Sequence, residues 1–220
     1  MSNAQPSRDP ANDGTLVGVF NEVLGKFLQN VDDCLPARVI AFDRATNRVS
    51  VQPLVQLLTT NNERVSRGQI QGLPVLQCGG GGFGLFFNLK AGDLGWIKAN
   101  DRDISLYLQS GNETTPNTLR KHSFSDAVFI PDVVRGFVIS EEDAENAVLQ
   151  NLDGSVKVSL SETSIKLAVG GNNFVLDASG LTINCNVNIV GTLQNNGVNV
   201  GSTHTHGGVT TGTSNTGAPT

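Results

Sequence analysis

The sequence predicts an all-β protein in two parts, a small barrel followed by an alternating β shaft, with one short helix in front. Three observations carry that reading. Residues 35–139 break into five or six short apolar runs separated by glycine-rich turns, with almost no helical periodicity. From Gly154 onward apolar and polar side chains alternate strictly, which is the period of a strand. Residues 15–31 alone repeat apolar side chains at spacings of three and four.

Residues 1–14 are polar and read as a loose tail. In TLVGVFNEVLGKFLQNV, Leu16, Phe20, Leu24, Phe27 and Val31 share one helical face, and Asn12 or Asp13 is placed to cap the start. Gly18 and Gly25 weaken this helix, so it needs a surface to dock on. LPARVIAFD and RVSVQPLVQLL, joined by a turn at Asp43–Asn47, read as a hairpin. GQIQGLPVLQC, GGGG and FGLFFNL repeat the plan, and AGDLGWIKA, DISLYLQS and DAVFIPDVV supply further short strands. This region holds the only Trp and Tyr and much of the Phe, so the conventional core is expected here.

The segments GSVKVSLS, TSIKLAVGG, NNFVLDASG, LTINCNVNIVG and TLQNNGVNVG form the shaft. Val156, Val158 and Leu160 point one way, as do Ile165, Leu167 and Val169, and Leu181, Ile183, Cys185, Val187 and Ile189 make the longest run. Each strand has one apolar face and nothing in the sequence to cover it. One copy cannot bury enough surface to offset the entropy of ordering it, and long uncharged strands invite edge pairing. Both difficulties vanish if several identical chains intertwine. A single-chain β-solenoid and a disordered tail are the alternatives; the β-branched, charge-poor composition runs against disorder.

Composition narrows the function. The chain has 220 residues, 38% hydrophobic content, a formal net charge of −5 and a pI near 5.1. An acidic chain of this kind is not built for general nucleic-acid binding. Arg64, Arg67, Lys98, Arg102, Arg120 and Lys121 are dispersed among acids rather than gathered into a groove. Cys34, Cys78 and Cys185 are odd in number and far apart, and are expected to be free thiols, buried or half-buried. No run approaches a membrane helix, and MSNAQPSRDPANDG lacks the features of a signal peptide. The expectation is a soluble protein made in the cytoplasm and able to act elsewhere within an assembly.

No enzyme signature stands out. CGGGGFG fits GxGxxG at Gly79, Gly81 and Gly84, but a strand pattern follows where a dinucleotide site needs a helix. Asp101, Asp103 and His122 are the one conceivable acid–base set, and His122 reads as a loop residue.

THTHGG, residues 203–208, is different. Two of the three histidines, His204 and His206, sit two apart, so on a strand they face the same way. No Asp, Glu, Lys or Arg follows Asp177. Apart from Cys185, well upstream, no further His, Cys, Asp or Glu follows Asp177, so one chain is short of the four ligands of a structural zinc site. Three chains about one axis would bring six imidazole nitrogens, an octahedral set that suits Fe(II), Co(II) or Ni(II), with iron favoured by availability. Gly207 and Gly208 allow a sharp turn beside a crowded axis. The alternative is a pair of solvated histidines on a tail.

LPARVIAFDRATNRVSVQPLVQ, LPVLQCGGGGFGLFFNLKAGDLGWIKANDRDIS, FSDAVFIPDVV, the uncharged alternating stretch and HTHGG together resemble the central spike proteins of contractile phage tails. The chain looks closest to the membrane-puncturing baseplate spikes and is similar to the baseplate assembly protein V group, over roughly residues 30–212. The resemblance implies a homotrimer with an OB-fold collar, an intertwined triple-stranded β-helix and a sharp apex where His204 and His206 of three chains hold one Fe2+ ion. After the tail and helix read from the residue pattern over 1–31, it implies the OB domain over 32–140, the shaft over 141–200 and the apex over 201–220. It also implies baseplate hub proteins and, transiently, the host outer membrane as partners, a virion location at the baseplate tip, and no catalytic residue, nucleic acid or small-molecule substrate. The N-terminal helix has no counterpart in it. A trimeric receptor-binding fibre and a metal-dependent enzyme are the competing functions; a fibre tip would carry aromatic or charged contacts that this tip lacks.

Overall fold

The computed structural model describes residues 14–29, 31–59, 61, 63–201, 204, 208 and 212. Asn12, Asp13 and His206 lie outside the described residues. The chain forms two compact units that divide between Gly136 and Phe137.

The first unit opens with helix α1, Leu16–Gln29. Its start is capped by Thr15, whose Oγ1 accepts the Gly18 N–H at 3.0 Å. Strands β1 (Cys34–Asp43), β2 (Arg48–Pro53), β3 (Leu57–Leu58), β4 (Arg64–Val65), β5 (Ile70–Pro74), β6 (Cys78–Gly80), β7 (Phe83–Leu85) and β8 (Leu94–Asn100) follow. Helix α2 (Ser105–Ser110) and strand β9 (Ser123–Pro131) complete the unit.

Five of these strands make one sheet in the order β5-β2-β1-β8-β9, antiparallel throughout. Its two edges meet through a parallel bridge between Val75 and Phe129, with the Leu76 N–H donating to the Phe129 carbonyl at 2.8 Å. The sheet is thus a nearly closed barrel, filled by one face of each strand. Val39, Val49, Val51, Leu73, Ile97 and Phe129 are almost wholly buried, with Ala37, Ala99, Phe124 and Ala127 around them. The Phe129 ring lies across β8 at Gly95, where an added Cβ would come within 2.4 Å of the ring and of the Ile130 carbonyl. That close approach is the reason a glycine stands in mid-strand.

The β1–β2 hairpin turns where expected. Asp43 Oδ1 accepts the Ala45 N–H and Oδ2 accepts the Thr46 hydroxyl, and Asn47 takes the left-handed backbone with φ 53°. Other expectations need correction. DISLYLQS is no strand: Ser105–Ser110 is helical, opened by the Asp103 carboxylate accepting the Ser105 N–H and closed by Gly111 in the left-handed region. Local capping overrides the period-two pattern there. Trp96 and Tyr107 also stand outside the core, 37% and 54% exposed. Trp96 instead directs its ring N–H to Asp132 Oδ2 at 2.8 Å.

The second unit begins with a 3-10 turn, Glu141–Asp143. Then come β10 (Ala147–Gln150), β11 (Val156–Leu160), β12 (Ser164–Val169), β13 (Asn172–Asp177) and β14 (Gly180–Asn184), an antiparallel meander in sequence order. A two-residue pair, β15 (Gln194–Asn195) and β16 (Val198–Asn199), follows. The long run expected from Leu181 to Ile189 is a strand only to Asn184. Both units are mostly β.

Removing the Phe129 side chain empties the centre of the barrel. Phe129→Ala is expected to destabilise the first unit by about 3–5 kcal/mol in urea denaturation followed by Trp96 fluorescence, and a loss under about 1 kcal/mol would contradict the packing described.

Candidate functional site

The meander of the second unit sorts its side chains cleanly. Register pairs Leu149 with Val158, Val158 with Leu167, Leu167 with Phe174 and Phe174 with Ile183. The next row joins Ala147, Leu160, Ile165, Leu176 and Leu181, and Val156 faces Val169. One whole face is therefore apolar. Ten of its large side chains are 39–61% exposed, and an open hollow of about 500 Å³ runs over Leu149, Val158, Leu167 and Phe174.

The opposite face is polar and is the better buried of the two. The 3-10 turn lies across β11 and β12 there. Asp143, 2% exposed, accepts hydrogen bonds from the Ser140 and Ser159 hydroxyls, both at 2.6 Å, from Asn146 Nδ2 and from the Lys157 ammonium. Lys157 also donates to Glu142 Oε1 at 2.5 Å, and Lys166 reaches Glu142 Oε2 at 2.8 Å. Ser159 and Ala168 are buried beneath this lattice. Lys157, helped by Ser140 and Ser159, holds the Asp143 carboxyl well below the usual carboxylate range. Lys157 and Lys166 lower Glu142, and Asp143 and Glu142 in turn raise Lys157.

Of the predicted metal ligands, His204 is exposed and described, and His206 lies outside the described residues. The His204 Nδ1 stands 2.6 Å from the Gly201 carbonyl, and the His204 backbone N–H donates to the same oxygen at 3.1 Å. A carbonyl only accepts, so Nδ1 carries the proton of this bond, which fixes the orientation of the ring. Among the described residues no group of three or more His, Cys, Asp and Glu is gathered for a metal.

Of the acid–base candidates of the first unit, Asp101 and His122 meet each other, while Asp103 is taken up by other partners. Asp103, 5% exposed, is bonded to the Ser105 N–H, the Thr118 hydroxyl and Arg120. Ser105 and Thr118, with the Arg120 charge beside them, hold its carboxyl at about 2. Arg120 also grips Asp126 through two bonds of 2.9 Å, which ties the loop before β9 to the barrel. His122 meets Asp101 at 3.2 Å as an exposed surface pair. Sequence reasoning missed these ties because their partners are spread over residues 103–126. Arg67 and Arg102 pair with Asp32 and Asp101.

The glycine run is a hairpin, as the strand pattern after it required. Cys78–Gly80 pairs with Phe83–Leu85 around Gly81 and Gly82, both at positive φ. FGLFFNL is a strand only to Leu85. The three cysteines are free thiols, but exposed rather than buried. Cys34 and Cys78 stand at strand starts, and Cys185 follows the last residue of β14.

The lattice sets a pH response. The Asp143 carboxyl is lowered on folding, so its contribution is complete above the ordinary value of 3.8 and is lost as pH falls through the depressed one. Lys157 is raised from 10.5, so its contribution is complete below that value and is lost as pH rises past it. The protection of the Ser159 amide, its exchange rate relative to the intrinsic rate at the same pH, is therefore expected to stay level across the neutral range and to fall only in acid below the usual carboxylate range or in strong alkali. Asp143→Asn should remove the acid limb; a variant with an unchanged acid profile would show that another group sets it.

No curated protein matches the chain. Residues 35–132, less than half of the 220, match the family described as the phage protein Gp138 N-terminal domain. The barrel of this chain is similar to that domain, and the likeness supports a structural protein of phage.

Proposed function

We propose that three copies of this chain form the central spike at the tip of a contractile phage tail, a structural protein driven through the host outer membrane when the sheath contracts. The observation that carries this reading is the inverted burial of the β10–β14 sheet. A single chain hides its ion-paired face and leaves ten large apolar side chains about half exposed on the other. Covering them is worth on the order of 10 kcal/mol per chain, at the usual return for burying Val, Leu, Ile and Phe. Copies of the same sheet, wound about one axis as a triple-stranded β-helix, supply that cover.

Residues beyond β14 fit the same arrangement. Val187 and Ile189 keep the strand alternation but belong to no strand pairing of their own chain among the described residues. Strands that find their partners in neighbouring chains interlock, and an interlocked shaft does not fail by one strand peeling away. The barrel is read as an OB collar, which docks on hub proteins of the baseplate. Its likeness to a phage protein domain supports the setting.

At the apex His204 and His206 of three chains would hold one Fe2+ ion. The bond from His204 Nδ1 to the Gly201 carbonyl orients the imidazole, as such bonds do for metal-ligating histidines. The metal would join three C-terminal segments that have little apolar surface of their own. A tip without Asp, Glu, Lys or Arg after Asp177 avoids the cost of taking charge through an apolar layer. No catalytic role enters this reading.

Elemental analysis of the purified protein tests it. About one iron per three chains is expected, six imidazoles per octahedral ion. The double substitution His204→Ala with His206→Ala should remove the iron while leaving the association of the chains intact. One zinc per chain would contradict the apex, and dissociation of the double variant would contradict the assignment of the cohesive energy to the sheet.

A further inference from the structure

Helix α1 carries a second apolar face, separate from that of the meander. Its eight Leu, Val and Phe side chains are 55–72% exposed. At about 100° per residue they fill an arc of about 180°, from Val19 round to Leu28. Leu16, Phe20, Val23 and Phe27 run down its middle at spacings of four, three and four, the seam of a coiled coil. Patches of this size rarely stay open on a soluble protein.

The arc width and the polar side say what covers it. One partner helix needs only the narrow seam; half a helix circumference is covered when each helix touches two neighbours. The opposite side holds Gly18, Asn21, Glu22, Gly25, Lys26 and Gln29, one acid and one base. That is not the Lys- and Arg-rich face of a helix lying on a membrane. Fourteen residues are at the margin of stability alone, so the contact needs a tether. Only residues 30–33 separate α1 from the first barrel strand, and chains already joined hold their helices at high effective concentration.

We propose that α1 packs against α1 of two further copies as a parallel three-helix coil ahead of the barrel, an inference that rests on the three-copy reading above. Rotation about one axis makes the three helices run in the same direction and in register, with Val23 of each facing the axis.

Val23→Cys and Asn21→Cys in the full-length protein test this by oxidative cross-linking beside the native sequence, which controls for Cys34, Cys78 and Cys185. Val23→Cys should give a disulfide-linked dimer band several-fold stronger than the native protein, and Asn21→Cys should not. Adding Phe20→Glu and Phe27→Glu to Val23→Cys should abolish that band while the native mass stays that of three chains. If the mass is that of three chains and Val23→Cys links no better than Asn21→Cys, or the link survives the two glutamates, the coil is wrong and the three-copy reading stands. A monomeric mass overturns both.

Discussion

The arrangement of the second unit turns on one constraint: a sheet can bury only the face that something covers. In this chain the covered face of β10–β14 is the polar one. The Glu141–Asp143 turn places Asp143 over β11, where Ser140, Ser159, Asn146 and Lys157 all meet it. A buried carboxylate is tolerable only with such a full set of partners. Because the turn occupies this side, the rows through Leu149, Val158, Leu167, Phe174 and Ile183 face outward. The ion-paired cluster thereby fixes which face is left open to solvent. A one-residue slip of register would reverse the faces, so the ion pairs also guard the register.

The first unit solves the same problem alone. Its sheet curls until β5 meets β9, and the apolar side of each strand covers the others. Gly95 allows the Phe129 ring to sit at the centre of that closure. The two units thus use the same strand chemistry to different ends. The barrel sheet is complete as a single chain, and the meander is complete, on the proposed reading, only in company.

The parts legible in the sequence were those set by local pattern. Alternation at Val156–Leu160 and Ile165–Val169 marked both the strands and their apolar face. Turn chemistry at Asp43–Asn47 and the strand after the glycine run were equally plain. What escaped was set by contacts far apart in the chain. Nothing local marks Lys157 as the partner of Asp143, or Arg120 as the clamp on Asp103 and Asp126. Ile104, Leu106 and Leu108 alternate like a strand, yet the Asp103 carboxylate and Gly111 enclose a helical turn. Of the proposed metal pair, His204 is described, with its ring held by the Gly201 carbonyl; a site closed only by symmetry between chains would be encoded in one sequence only indirectly.

The central claim is that copies of this chain cover the apolar face of the meander. Sedimentation equilibrium of the native protein at micromolar concentration tests it most directly. The account predicts a single species of three times 23.2 kDa. A stable monomer of 23.2 kDa, with the apolar face still open to solvent, would contradict it.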